Sequence, residues 1–195
     1  MEMTSELKLV EDPKKPLSMN PKKFALWLFM VTVVMIFAAL TSGYIVRQAE
    51  GNWVMFELPF EMWVTTGIIL LSSATMHWAY LEAKKDNLER VKLAISVTTV
   101  LGVLFLVGQF YVWGALVDSE VYLVGNPSGS FLYVLSGLHG LHIVSGVIFL
   151  IIVLISTFKY KVHSKSLNQI QMCTTYWHFL DALWIYLFVF LLLNH

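Results

Sequence analysis

The sequence predicts an all-α integral membrane protein, a bundle of five transmembrane helices with a cytoplasmic amino terminus and a periplasmic carboxyl terminus. Three observations carry this expectation. Of the 195 residues, 57% are apolar or aromatic and only 13% are charged, about half the charged share of an ordinary soluble domain. Five apolar runs are continuous rather than alternating, and each is long enough as a helix to cross a hydrocarbon core of about 30 Å. Lipid offers no partner to a backbone amide, so a continuous run of that kind must close its hydrogen bonds within itself. Finally, twelve of the thirteen Lys and Arg fall in the amino-terminal segment and in alternate connections; only Arg47 lies on the other side, where Glu50, Glu57, Glu61, Asp118 and Glu120 collect. Positive charge marks the cytoplasmic face.

Taken in order, residues 1–23 are polar, contain Pro13, Pro16 and Pro21, and lack the short apolar core of a secretory signal. They read as a cytoplasmic tail, with Asn20 and Pro21 as the N-cap and N1 residues of the first helix. The membrane domain then occupies residues 24–195. Its first helix spans about 24–46 and carries Ala38, Ala39, Ser42 and Gly43, a small-residue spacing suited to helix association. Trp53, Phe56 and Pro59 give the next connection an interfacial character. The second helix spans about 62–81, with His77 and Trp78 near its inner end as candidates for lipid or interface contact. Lys84, Lys85, Arg90 and Lys92 mark the inner corner before the third helix, about 91–117, which contains Gln109, Tyr111 and Trp113. Gly125, Asn126, Pro127 and Gly129 form a turn. The fourth helix follows over about 131–158, then a connection with Lys159, Lys161 and Lys165, then the fifth helix over about 172–193. Trp177 and Trp184 in that helix are further interface candidates, whereas His163 and His195 read as solvated.

Several function classes are excluded by composition. The net charge of zero removes the basic surplus expected of a nucleic-acid partner, and a single cysteine, Cys173, permits neither an internal disulfide nor a multi-cysteine metal framework.

Among thirteen carboxylates, Asp181 is the one set deep in an apolar run. An ionised Asp at mid-bilayer costs about 2.5–3.5 kcal/mol on insertion scales, so it must face protein or be protonated. His178 lies one turn earlier on the same face. The fourth helix carries a second i, i+3 pair, His139 and His142, among the small residues Gly137, Gly140 and Gly146. By depth, His142 and Asp181 fall within roughly 6 Å, close enough to pair across antiparallel neighbours. The four residues read as a structural polar network, with proton handling and metal ligation as competing readings. The metal reading is weakened by spacing, because the helical zinc motif needs histidines at i, i+4 with a Glu between them.

The run from Tyr176 through Trp177, His178 and Asp181 to Trp184, together with Gly137, Leu138, His139, Gly140, Leu141, His142 and Gly146, resembles subunit III of haem-copper respiratory oxidases. The first helix, from Trp27, Leu28 and Phe29 to Tyr44, is similar to that family's third helix, and the resemblance covers about residues 24–193. It implies the short five-helix bacterial form in the inner membrane, an accessory subunit without its own haem or copper. Such a subunit packs on subunits I and II, which hold those cofactors. It binds phospholipid, supports proton uptake and turnover stability, and can belong to a larger respiratory assembly. Val33 and Val112 stand where the family usually carries a Glu. A quinol oxidase subunit, an accessory protein of nitric oxide reductase, and a small membrane metalloenzyme or transporter are the alternative readings.

Overall fold

The computed structural model describes residues 20–158 and 167–194. Residues 1–19 of the expected tail, the basic connection bearing Lys159, Lys161, His163 and Lys165, and His195 lie outside the described residues. Five helices form the described chain: α1 (Pro21–Gln48), α2 (Glu61–Lys84), α3 (Leu88–Asp118), α4 (Pro127–Phe158) and α5 (Asn168–Asn194).

Each begins up to four residues before its expected start, because the polar residues flanking the apolar runs are themselves helix starters. Asn20 accepts a hydrogen bond from the Lys22 amide at 3.1 Å, with Pro21 opening α1. Asn126 does the same for the Ser128 amide at 2.9 Å, with Pro127 opening α4. The Asn–Pro pair read from sequence as part of a turn is therefore also the cap of the fourth helix. Asp86, at φ 55°, reverses the chain between α2 and α3.

Cross-helix hydrogen bonds fix an up-and-down order. Thr75 Oγ1 lies 2.8 Å from Thr98 Oγ1 and Gln109 Nε2 donates to Thr65 Oγ1 at 3.3 Å, so α2 and α3 are antiparallel. Trp113 Nε1 donates to Ser136 Oγ across α3 and α4 at 3.1 Å, and Ser145 Oγ meets the Tyr176 hydroxyl across α4 and α5 at 2.7 Å. α1 and α5 run parallel: Lys23 Nζ reaches Gln171 Oε1 at 2.8 Å near one end, and Tyr44 and Gln48 both donate to the Asn194 carbonyl near the other.

Four of the helices, α1, α3, α4 and α5, are long and apolar enough to cross a membrane. α2 is less apolar because Thr65, Thr66, Ser72, Ser73, Thr75 and His77 interrupt it. Thr65, Thr66 and Ser72 are buried and return their hydroxyl protons to carbonyls of their own helix. The exterior is apolar: Trp27, Met35, Phe110 and Leu141 are all more than half exposed.

Ala39 is exposed rather than packed within the chain, whereas a Cβ built on Gly43 would lie 3.7 Å from the Phe131 ring of α4. The closest approaches occur elsewhere. A Cβ built on Gly146 would lie 2.9 Å from Leu180 Cδ1 and 3.1 Å from Trp177 Cζ3; one on Gly102 would lie 2.6 Å from Trp177 Cη2. These glycines admit the Trp177 indole between α3 and α4. Gly137 and Gly140 instead open a groove of about 270 Å³ beside Trp113, and a Cβ at Gly140 would meet nothing within 4 Å.

Candidate functional site

The polar interior is built around α5. Spacing by three or four residues places Trp177, Asp181 and Trp184 along one stripe, with His178 at its edge. That stripe meets the hydroxyl-bearing face of α2. Trp177 Nε1 donates to Ser72 Oγ and Trp184 Nε1 to Thr66 Oγ1, each at 3.0 Å, while His178 Nδ1 lies 2.7 Å from Ser73 Oγ.

Trp177 and Trp184, interface candidates by residue type, face the interior of the bundle. Both are fully buried, because α2 supplies hydroxyl acceptors for their indole N–H groups inside the bundle. Trp78 is 37% exposed and His77 is exposed, but the His77 ring centroid lies 5.9 Å from that of His178. A residue read only as an anchor therefore adjoins the buried cluster.

Asp181 is 2% exposed and both of its carboxyl oxygens lack a hydrogen-bond partner. The Ser73 hydroxyl on the facing helix is engaged with His178.

The expected pairing of His142 with Asp181 does not occur. His142 Nδ1 instead meets the Leu138 carbonyl at 2.7 Å, one turn back on its own helix, and its ring lies against Phe37 and Phe29. A backbone carbonyl on the same helix is always in reach, whereas the carboxyl sits on the face of α5 turned to α2. His139 is fully buried, its two ring nitrogens have no hydrogen-bond partner, and Trp184, Phe105 and Phe37 enclose it with centroids at 5.1, 6.0 and 6.4 Å. The four polar residues separate into a His139 and His142 aromatic box between α4, α1 and α5, and a His178 and Asp181 cluster against α2.

Among the described residues, no group of three or more His, Cys, Asp or Glu is placed to hold a metal ion. Val33 and Val112, each 1% exposed, sit in apolar packing.

Sequence reasoning missed Glu82. This carboxylate on α2 is 3% exposed and bonds Lys85 Nζ at 3.1 Å, with Arg90 3.7 Å away. Its i, i+3 spacing to Lys85 was the available signal. It also missed Ser73 and Gly102, whose importance comes from what faces them.

Together the fold and its interior define a class: a helical membrane protein whose buried polar side chains chiefly fasten one helix to the next, with a broad apolar exterior turned outward. The chain belongs to the cytochrome c oxidase subunit III family, whose model matches residues 14–194. It is 29% identical to cytochrome c oxidase subunit 3 of Corynebacterium diphtheriae, the match covering 83% of this chain and 82% of that protein. It is 31% identical to a probable cytochrome c oxidase subunit 3 of Nocardia farcinica, with the same coverage of 83% and 82%. A probable quinol oxidase subunit 3 of Staphylococcus saprophyticus is 26% identical over 87% of each chain. The resemblance read from the segments 137–146 and 176–184 is borne out at the level of the family.

Proposed function

We propose that this chain is the non-catalytic subunit III of a bacterial haem-copper terminal oxidase in the inner membrane. It packs on subunits I and II, where the haem and copper reside, and it sustains proton uptake and stability during turnover. All five helices span the bilayer, with residue 20 on the cytoplasmic side and Asn194 on the periplasmic side. α2 is included because 24 residues reach about 36 Å as a helix, and its buried hydroxyls turn away from lipid. The observation that carries the reading is the combination of family membership with an exterior on which large apolar side chains remain exposed along every helix. Such a surface is stable only against lipid or another apolar protein face.

Phospholipid acyl chains occupy the grooves of this exterior. One groove, of about 340 Å³, lies between α1 and α5 and is lined by Val34, Phe37, Ala38, Phe179, Ala182 and Tyr186. The buried indoles and His178 hold α5 to α2, and His139 and His142 fill the contact of α4 with α1 and α5.

Native purification through a tag on this chain, with mass spectrometry of its companions and an optical spectrum, tests the proposal. The expected result is co-purification with oxidase subunits I and II and a haem spectrum that disappears when those subunits are stripped away. Recovery with a nitric oxide reductase, or haem retained by the isolated chain, would overturn it. Oxidation assays with reduced cytochrome c and with quinol then assign the electron donor.

A further inference from the structure

We propose that His77 on α2 and His178 on α5 form an open two-imidazole site for a divalent transition-metal ion such as Zn²⁺ or Cu²⁺. The two rings come from different helices, and their centroids are 5.9 Å apart with the planes inclined at 46°. A metal held about 2.0–2.1 Å from one nitrogen of each ring brings two imidazole centroids to about 5–6 Å. The observed spacing already lies in that range. Turning a ring completes the site, and neither helix has to move.

The two histidines are held differently. Ser73 Oγ lies 2.7 Å from His178 Nδ1 and orients that ring. Its other nitrogen, Nε2, has no hydrogen-bond partner among the described residues, yet it is not sealed in the interior as both ring nitrogens of His139 are. A metal on Nε2 leaves the imidazole proton on Nδ1, where Ser73 Oγ accepts it; an outer hydrogen bond of this kind orients most ligating histidines. His77 is exposed, and no hydrogen bond or ion pair among the described residues restrains its ring. Seven residues separate it from Lys84 at the end of α2, about 10 Å along the helix, so the pair lies towards that end and not at the middle of the span.

The donor set selects the ion. Two neutral imidazoles suit Zn²⁺, Ni²⁺ and Cu²⁺, whereas Mg²⁺ and Ca²⁺ take oxygen ligands. Asp181, one turn from His178, is not a third ligand, because both of its oxygens are closed off. Water or a small anion fills the remaining coordination positions, and the ion exchanges with the surrounding solution. Once bound, it ties α2 to α5 beside the Ser72–Trp177 hydrogen bond. Neither the membrane orientation nor the oxidase partners enter this inference.

Titration of the full-length chain with Cu²⁺, purified without a polyhistidine tag and followed by electron paramagnetic resonance, tests the site. The expected spectrum shows hyperfine coupling to two imidazole nitrogens. His77→Ala should reduce this to one nitrogen and weaken binding by about tenfold or more, since it removes one of the two protein ligands. Ser73→Ala should keep both nitrogens and weaken binding by about tenfold. Zn²⁺ should raise the melting temperature of the wild type and not that of His77→Ala, which alters an exposed side chain and leaves the packed interior intact. A two-nitrogen spectrum that survives in His77→Ala would overturn the proposal, as would coupling to a single imidazole in the wild type or no Cu²⁺ binding at all. So would loss of the spectrum in the double variant His163→Ala, His195→Ala, since those two histidines would then be the ligands.

Discussion

Introducing one methyl group at two glycines of α4 should have opposite consequences. Gly146 and Gly140 lie six residues apart on a single helix, so helix propensity favours alanine about equally at both, by about 0.8–1 kcal/mol. Packing separates them. At Gly146 the new carbon would stand 2.9 Å from Leu180 Cδ1 and 3.1–3.2 Å from the Trp177 ring, well inside the optimal carbon separation of about 3.5–4.0 Å. Trp177 has no room to withdraw. Its Nε1 is tied to Ser72 at 3.0 Å, and a Cβ position at Gly102 is already only 2.6 Å from its far edge. Overpacking of this kind costs about 1–3 kcal/mol, which exceeds the propensity gain at the upper end and cancels it at the lower. Gly146→Ala should therefore lower stability by up to about 2 kcal/mol, whereas Gly140→Ala, which meets nothing within 4 Å, should raise it by up to about 1 kcal/mol. The assay is reversible denaturation of the purified chain in mild detergent, followed by tryptophan fluorescence, with each variant measured against wild type. Equal effects at the two positions, or a larger loss at Gly140, would show that Trp177 is not wedged between α3 and α4 in this way.

The other expected outcomes concern the remaining polar contacts. Replacing Trp184 by Phe removes the 3.0 Å bond to Thr66 and should cost about 1 kcal/mol in the same denaturation assay. No loss would mean that the indole N–H is satisfied elsewhere. Asp181→Leu should leave stability within about 1 kcal/mol of wild type or raise it, because an unpartnered buried carboxyl is exchanged for an apolar group of similar volume; a loss of several kcal/mol would reveal a hydrogen bond to the carboxyl. Glu82→Gln should weaken the α2–α3 corner by about 1 kcal/mol or less, since Lys85 and Arg90 are largely exposed. The wild-type advantage should shrink as salt is raised in a stability titration. Cys173 is buried, so it gives little background in a labelling experiment. Asp86→Cys should react with a membrane-impermeant thiol reagent only from the cytoplasmic side and Asn52→Cys only from the periplasmic side; the reverse would invert the proposed topology.

The helical architecture was legible in the sequence because the demands of lipid are simple. Length, apolarity and the capping Asn20 act locally, and the five elements appear where the runs are. What failed depends on partners in space. Trp177 and Trp184 carry an interfacial residue type, but their burial is decided by Ser72 and Thr66, more than a hundred positions away. His142 and Asp181 share a depth, but depth says nothing about rotation, and the carboxyl looks towards α2 while His142 finds a carbonyl on its own helix. Gly102 sits in an apolar run with no pattern to single it out; only the indole pressed against it does. His178 and Asp181 are spaced to share one face of α5, yet Ser73, the α2 side chain that meets His178, carries no signal of its own.

The fastening of α1 bears on how the protein is made. Lys23, Thr41, Tyr44 and Gln48, spread along the whole helix, all bond to α5, at Gln171, Tyr186 and Asn194. α1 is thus hydrogen-bonded along its length to a helix that is made well after it. During synthesis α1 must wait in lipid with these side chains unclaimed, and the final turn of α5, whose Asn194 carbonyl receives two of the bonds, closes the assembly like a latch. Truncation before Asn194 should leave the other four helices in place and α1 loose at its Gln48 end.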